Sequence, residues 1–156
     1  MTIQVDGLTK RYGDRYAVKD ATFTVEAGKV TGFLGPNGAG KSTTMRSIVG
    51  LDHPTSGSAL IDGRRYVQHR APLSSVGALL EAKAAHRSRT ARNFLDSLAA
   101  THRIPRTRVE EVLEATGLTS VAARKVGSFS LGMGQRLGIA ASLLGDPGTL
   151  ILAEPV

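Results

Sequence analysis

An α/β fold is what this sequence predicts, and three observations carry the prediction. Short β-rich runs bounded by glycines fill roughly the first sixty residues, a glycine-rich loop stands between an apolar run and a helical one, and helical periodicity takes over beyond Leu80. At 156 residues and 41% hydrophobic content, the chain is long enough to bury one core and too short for two.

The β-rich runs are Ile3 to Val5, Tyr16 to Val25, Val30 to Leu34 and Ala59 to Ile61, punctuated by Gly7, Gly13, Gly28, Gly57 and Gly63. A helix follows the glycine-rich loop over Thr43 to Val49, and Val76 to Leu80 reads as a further strand. Phe94, Leu95, Leu98 and Ala99 then share one helical face, with Thr90 placed to cap it. Thr107 with Glu110 three residues later reads as a capping box. It opens an amphipathic helix through Val109, Val112 and Leu113 that Gly117 ends. Ser130 precedes a third helical stretch through Leu137, Ala141 and Leu144 to Asp146-Pro147, and Leu150-Ile151-Leu152 reads as a buried strand.

Composition excludes several classes. No stretch approaches the roughly 20 apolar residues that cross a bilayer, and MTIQVDGLTK lacks the basic-then-apolar order of a signal peptide, so a cytoplasmic location is expected. The chain has no cysteine, hence no disulfide framework and no thiolate nucleophile, and its four histidines lack ligand spacing. The net charge of +7 invites a nucleic-acid partner. However, the basic runs Arg64 to Arg70, Lys83 to Arg92 and Arg103 to Arg108 carry almost no aromatics for stacking on bases. They read as solvated positive faces, with attraction to an anionic membrane or an acidic partner loop as a third reading.

The chemistry begins at Gly35-Pro36-Asn37-Gly38-Ala39-Gly40-Lys41-Ser42, which fits G-x-x-x-x-G-K-[ST] directly after an apolar run and before a helix. Glycines let such a loop turn its backbone N–H groups inward around phosphate oxygens. The helix beginning near Lys41, with Thr43 in its first turn, adds its positive dipole end. Lys41 supplies an ammonium for the β- and γ-phosphates, and the Ser42 hydroxyl is a Mg²⁺ ligand.

Further motifs narrow the family. Phe129-Ser130-Leu131-Gly132-Met133 resembles the signature L-S-G-G-Q of ABC ATPases; Gln135-Arg136 follows it, and Leu150-Ile151-Leu152-Ala153-Glu154-Pro155 lies about twenty residues on. Leu8-Thr9-Lys10-Arg11-Tyr12-Gly13 looks like the family's A-loop, and Glu81 stands in the place of its Q-loop glutamine. The variants F-S-L-G-M and L-L-E-A look like the branch found in bacterial drug and antibiotic exporters.

This resemblance implies a P-loop NTPase core with an N-terminal antiparallel β region and a helical subdomain, incomplete at the C-terminus after the Walker B segment. The expected parts are a β-rich nucleotide-binding part over 1–84, a helical subdomain with the signature over 85–146, and the Walker B strand over 147–156. By family role, Tyr12 stacks on adenine while Gly35, Pro36, Asn37, Gly38, Ala39, Gly40, Lys41, Ser42 and Thr43 hold the nucleotide. Ser130, Gly132 and Met133 meet the γ-phosphate bound by a second copy. Glu154 orients or deprotonates the attacking water, and Ser42 and Glu81 attend Mg²⁺.

The implied cofactors are ATP and Mg²⁺. The implied partners are a second ATP-binding domain and a transmembrane permease subunit, through which the chain would sit on the inner face of the membrane and power export. An ABC ATPase acting on ribosomes or nucleic acid, and a nucleotide-binding fragment without turnover, are the competing readings. Two departures limit the resemblance: Ala153 stands where the family places an aspartate that holds the Mg²⁺ shell, and Val156 precedes the remaining core strands. Negligible ATP turnover by the chain as given, and an exposed sheet edge prone to pairing with other chains, are therefore expected.

Overall fold

The computed structural model describes residues 1–81 and 85–153 and comprises two compact units, Met1–Pro72 and Leu73–Val156. In the first unit, β1 (Ile3–Tyr12) and β2 (Arg15–Val25) form an antiparallel hairpin closed by Gly13 and Asp14, with Tyr12 opposite Arg15. The helix α1 (Lys41–Ile48) follows, then β3 (Ser56–Ile61), which adds antiparallel to the other edge of β1 to give the order β2-β1-β3.

Central position explains why β1 buries three apolar residues, Ile3, Val5 and Leu8. The period of two breaks after Val5 because the ladder slips between Val5 and Leu8; one extra residue there returns an apolar side chain to the inner face. Onto this face α1 packs Thr44, Ser47 and Ile48. The two buried hydroxyls are satisfied within the helix, Thr44 donating to the Gly40 carbonyl at 2.8 Å and Ser47 to that of Thr43 at 2.9 Å.

The expected strand Val30 to Leu34 does not form. Phe33 stacks on Phe23 of β2 with ring centroids 5.3 Å apart, but Val30 and Leu34 are 104% and 93% exposed, and the run has no ladder partner among the described residues. Apolar residues with high β propensity become a strand only where another strand meets their N–H and C=O groups. Among the described residues no strand does so for this run.

A one-turn helix, α2 (Pro72–Ser75), spans the boundary between the units. The second unit holds β4 (Val76–Leu79), α3 (Ala91–Thr101), α4 (Arg106–Ala115), α5 (Leu131–Leu143) and β5 (Thr149–Leu152). β4 and β5 pair in parallel, Val76 with Thr149 through Leu79 with Leu152, and the three helices form the long crossover that a parallel pair requires. Leu95, Val109, Val112, Leu113, Leu118, Leu137 and Leu144 make the helical core; each such burial contributes about 1.5–3 kcal/mol. The compositional boundary at 84/85 and the packing boundary at 72/73 differ because β4 takes its partners, β5 and α5, from the helical side. Gly77 permits this closeness: a Cβ there would stand 1.9 Å from the Ser142 carbonyl oxygen.

Two of the expected caps are observed. Thr90 accepts from the Asn93 amide at 3.1 Å to start α3, and Ser130 accepts from the Met133 amide at 3.2 Å to start α5. The capping box at Thr107 is not formed, because α4 begins two residues earlier than that cap requires, with Pro105 at its N-cap. Glu110, released from that role, binds Arg92 with both carboxylate oxygens. Gly117, at φ 66, follows the end of α4 as expected.

Candidate functional site

The helix α1 begins with glycine at its N-cap, φ 84 and ψ 11, and no side chain caps it. Its first intrahelical bond runs from the Thr44 amide to the Gly40 carbonyl at 2.8 Å, so the amides of Lys41, Ser42 and Thr43 precede the helical ladder. No acidic residue sits in that first turn. Such an end favours an anion by its orphan donors and by its dipole.

Ahead of it the Ala39 amide closes a turn on the Pro36 carbonyl at 3.1 Å. The Lys41 ammonium folds back to donate to the Gly35 carbonyl and, at 3.0 Å, to that of Pro36. The loop from Gly35 to Ala39 is exposed, as is Ser42. These are the parts of a phosphate seat, with the ammonium resting on main-chain oxygens of the same loop.

Tyr12, at the end of β1, is 52% exposed. Its hydroxyl donates to the Asp52 carboxylate at 3.3 Å, and Asp52 accepts from Arg46 Nε of α1 at 2.9 Å. Lys10 places its ammonium 4.9 Å from the centroid of the Tyr12 ring and donates to the His53 carbonyl at 2.7 Å. Loss of hydration first, then the charge of Asp52, pushes the Tyr12 phenol above its ordinary range. Lys10, Arg46 and Asp52 belong to no phosphate-binding motif. Asp52 lies 40 residues from Tyr12, and bonds stitching residues 53–55 to β1, such as Thr55 N to Thr9 O at 2.8 Å, help bring them together.

The remaining expected residues lie in the second unit. Glu81 is exposed just past β4. Ser130 caps α5, Gly132 in the first turn faces open space, and Leu131 is 70% exposed. A cleft of about 750 Å³ lined by Phe94, Phe129, Ser130 and Leu131 lies beside them. The Ala153 amide donates to the Leu79 carbonyl at 2.8 Å, extending the parallel ladder, and its methyl group offers no ligand atom. Glu154 falls outside the described residues. Among the described residues no group of three or more His, Cys, Asp or Glu side chains could hold a metal, and no helix is long and apolar enough to cross a membrane.

A family profile described as ABC transporter matches residues 18–156. The bacitracin transport ATP-binding protein BcrA of Bacillus licheniformis is 41% identical over 155 residues, covering 98% of this chain and 51% of that protein. The lantibiotic transport ATP-binding protein SrtF of Streptococcus pyogenes is 36% identical over 153 residues, 98% of this chain and 66% of its own length. The chain thus spans about half to two thirds of the length of the curated relatives it matches. Among solved structures, an ATP-binding subunit of an ABC transporter superposes with a TM-score of 0.86 at 27% identity, covering 99% of this chain and 67% of that one. A dimeric bacterial ABC transporter cassette gives a TM-score of 0.86 at 27% identity, covering 98% and 74%.

Proposed function

We propose that this chain, which belongs to the ABC transporter family, binds ATP on its 35–43 loop and serves as the ATP-binding motor of a membrane exporter. The bare N-terminus of α1, with Lys41 beside it, is the observation that carries this reading. Amides from the loop and from Lys41, Ser42 and Thr43 would surround the β- and γ-phosphates, while Lys41 exchanges its carbonyl partners for phosphate oxygens. Tyr12 would lie against adenine.

The expected metal ligands Ser42 and Glu81 are both exposed, and Ala153, where the family places an aspartate, offers no side-chain oxygen. The chain is therefore no metal cage of its own. Mg²⁺ would be held chiefly by the triphosphate, with Ser42 and, from the second unit, Glu81 at its margin.

In the assembled transporter two copies would meet. Ser130, Gly132 and Met133 of one would approach the γ-phosphate held by the other, α5 presenting its N-terminal amides. Glu154 would position the attacking water. We assign 1–84 to nucleotide binding, 85–146 to the helical subdomain and 147–156 to the catalytic strand. A transmembrane permease subunit would hold the pair at the inner face of the membrane. Export of a peptide antibiotic is supported by the names of the bacitracin and lantibiotic relatives. Ala153 favours a second reading, nucleotide binding with negligible turnover.

Calorimetric titration of the purified chain with ATP tests the binding step. Lys41→Ala is expected to weaken ATP about tenfold or more, the worth of a charge-assisted contact, while leaving the unfolding midpoint in place. A folded parent chain that takes up no ATP would overturn the proposal.

A further inference from the structure

The nucleotide site has a built support for its aromatic platform that lies outside every phosphate-binding motif. Tyr12 is tied by its hydroxyl to Asp52 at 3.3 Å, and Asp52 is tied to Arg46 on the last turn of α1 at 2.9 Å. The same helix starts at the phosphate loop. Arg46 stands five residues beyond Lys41, about 7.5 Å along the helix axis, so one rigid element links the phosphate end of the site to the ring end. The Arg46 carbonyl also accepts from the amides of Leu51 at 2.9 Å and Asp52 at 3.3 Å, which fixes the carboxylate against the helix end. On the ring itself, the Lys10 ammonium, anchored on the His53 carbonyl, occupies one face. A half-exposed ring with one face taken and its hydroxyl held offers a single open face to a planar base.

We propose that Asp52 is a positioning residue for base recognition: clamped by Arg46, it fixes the plane of Tyr12 so that a purine stacks without first ordering the ring. This deepens the ATP-binding reading and rests on it. An aromatic side chain that is already ordered loses less rotamer freedom when a ligand lands, and the gain belongs to the base alone. The phosphate seat at the other end of α1 is untouched by it. The two contributions are therefore separable by ligand.

Calorimetry of the full 156-residue chain with ATP and with inorganic tripolyphosphate tests this. Asp52→Ala is expected to weaken ATP by about three- to tenfold, the range of one hydrogen bond, and to leave tripolyphosphate affinity within about twofold of the parent. Tyr12→Phe, which keeps the ring and loses the donor, should give the same selective loss, and the double variant should be no worse than either single one. Asp52→Asn, which still offers an oxygen to the phenol, should recover most of the ATP affinity and guards against a variant that simply misfolds. Equal weakening of both ligands, or unchanged ATP binding in Asp52→Ala, overturns the assignment. A folded parent that binds tripolyphosphate but gains nothing from the adenosine moiety also overturns it, whereas one that binds neither ligand removes the ATP-binding reading itself.

Discussion

Gly40 lies so close to Ala17 that a Cβ built on it would stand 2.2 Å from the Ala17 carbonyl oxygen and 2.8 Å from a methyl group of Val18. The phosphate loop is thus seated directly on β2, and its last glycine is required twice, for the contact and for φ 84. Gly40→Ala should cost about 2–4 kcal/mol, adding left-handed strain to overpacking. Urea unfolding measures it, and a loss below 1 kcal/mol would mean the loop is not seated this way.

Ser130 has a structural task and a proposed functional one, and substitution separates them. Ser130→Ala should lose about 1 kcal/mol of stability with the cap on Met133. Ser130→Asp should keep the cap and the stability. In an assembled dimer, however, its charge would repel the γ-phosphate, so hydrolysis should fall with no change in melting temperature. A variant that retains both would leave Ser130 a cap and nothing more.

The Glu110 carboxyl is held below the usual glutamate range, first by its hydrogen bonds to Arg92 and then by charge. A depressed carboxylate pKa stabilises the fold above the unfolded value and loses that contribution as pH falls through the folded one. Stability should therefore decline from about the ordinary glutamate range downward, and Arg92→Ala should remove part of that decline. Both partners face solvent, so the effect is small and should shrink with added salt. Unfolding midpoints from pH 6 to pH 3 for the two proteins provide the comparison.

Ala153→Asp restores a carboxylate at the end of β5 and should make ATP affinity depend on Mg²⁺ more steeply than in the parent. Titrations with ATP in Mg²⁺ and in EDTA give the ratio. An unchanged ratio would mean that the carboxylate does not reach the metal, and Ala153 would then give no ground for expecting negligible turnover.

What the residues alone revealed was local. The caps Thr90 and Ser130, the helix after the glycine-rich run and the strands ending at Val25 and Ile61 were all legible, because each is decided within a few residues by turn chemistry or alternation. β1 and β2 are longer than their apolar runs because pairing extends through Lys10, Arg11 and Arg15, which carry no β signal. Val30 to Leu34 failed for the converse reason, having the right composition and no partner. The capping box at Thr107 lost to an earlier start, with Pro105 at the N-cap and Thr107 already inside the first turn. The clamp on Tyr12 was invisible because its members come from different elements, Lys10 and Tyr12 from β1, Arg46 from α1 and Asp52 from the segment after it, which meet when residues 53–55 settle on β1.

The uncovered run 30–34 has a bearing on the life of the chain in a cell. Proteases take hold of backbone that is not engaged in a ladder, and quality-control factors bind short apolar stretches of that kind. Val30 and Leu34 present both features between β2 and α1. Turnover of the polypeptide would therefore begin at this handle, and a single cut there would part the hairpin from the phosphate seat it supports.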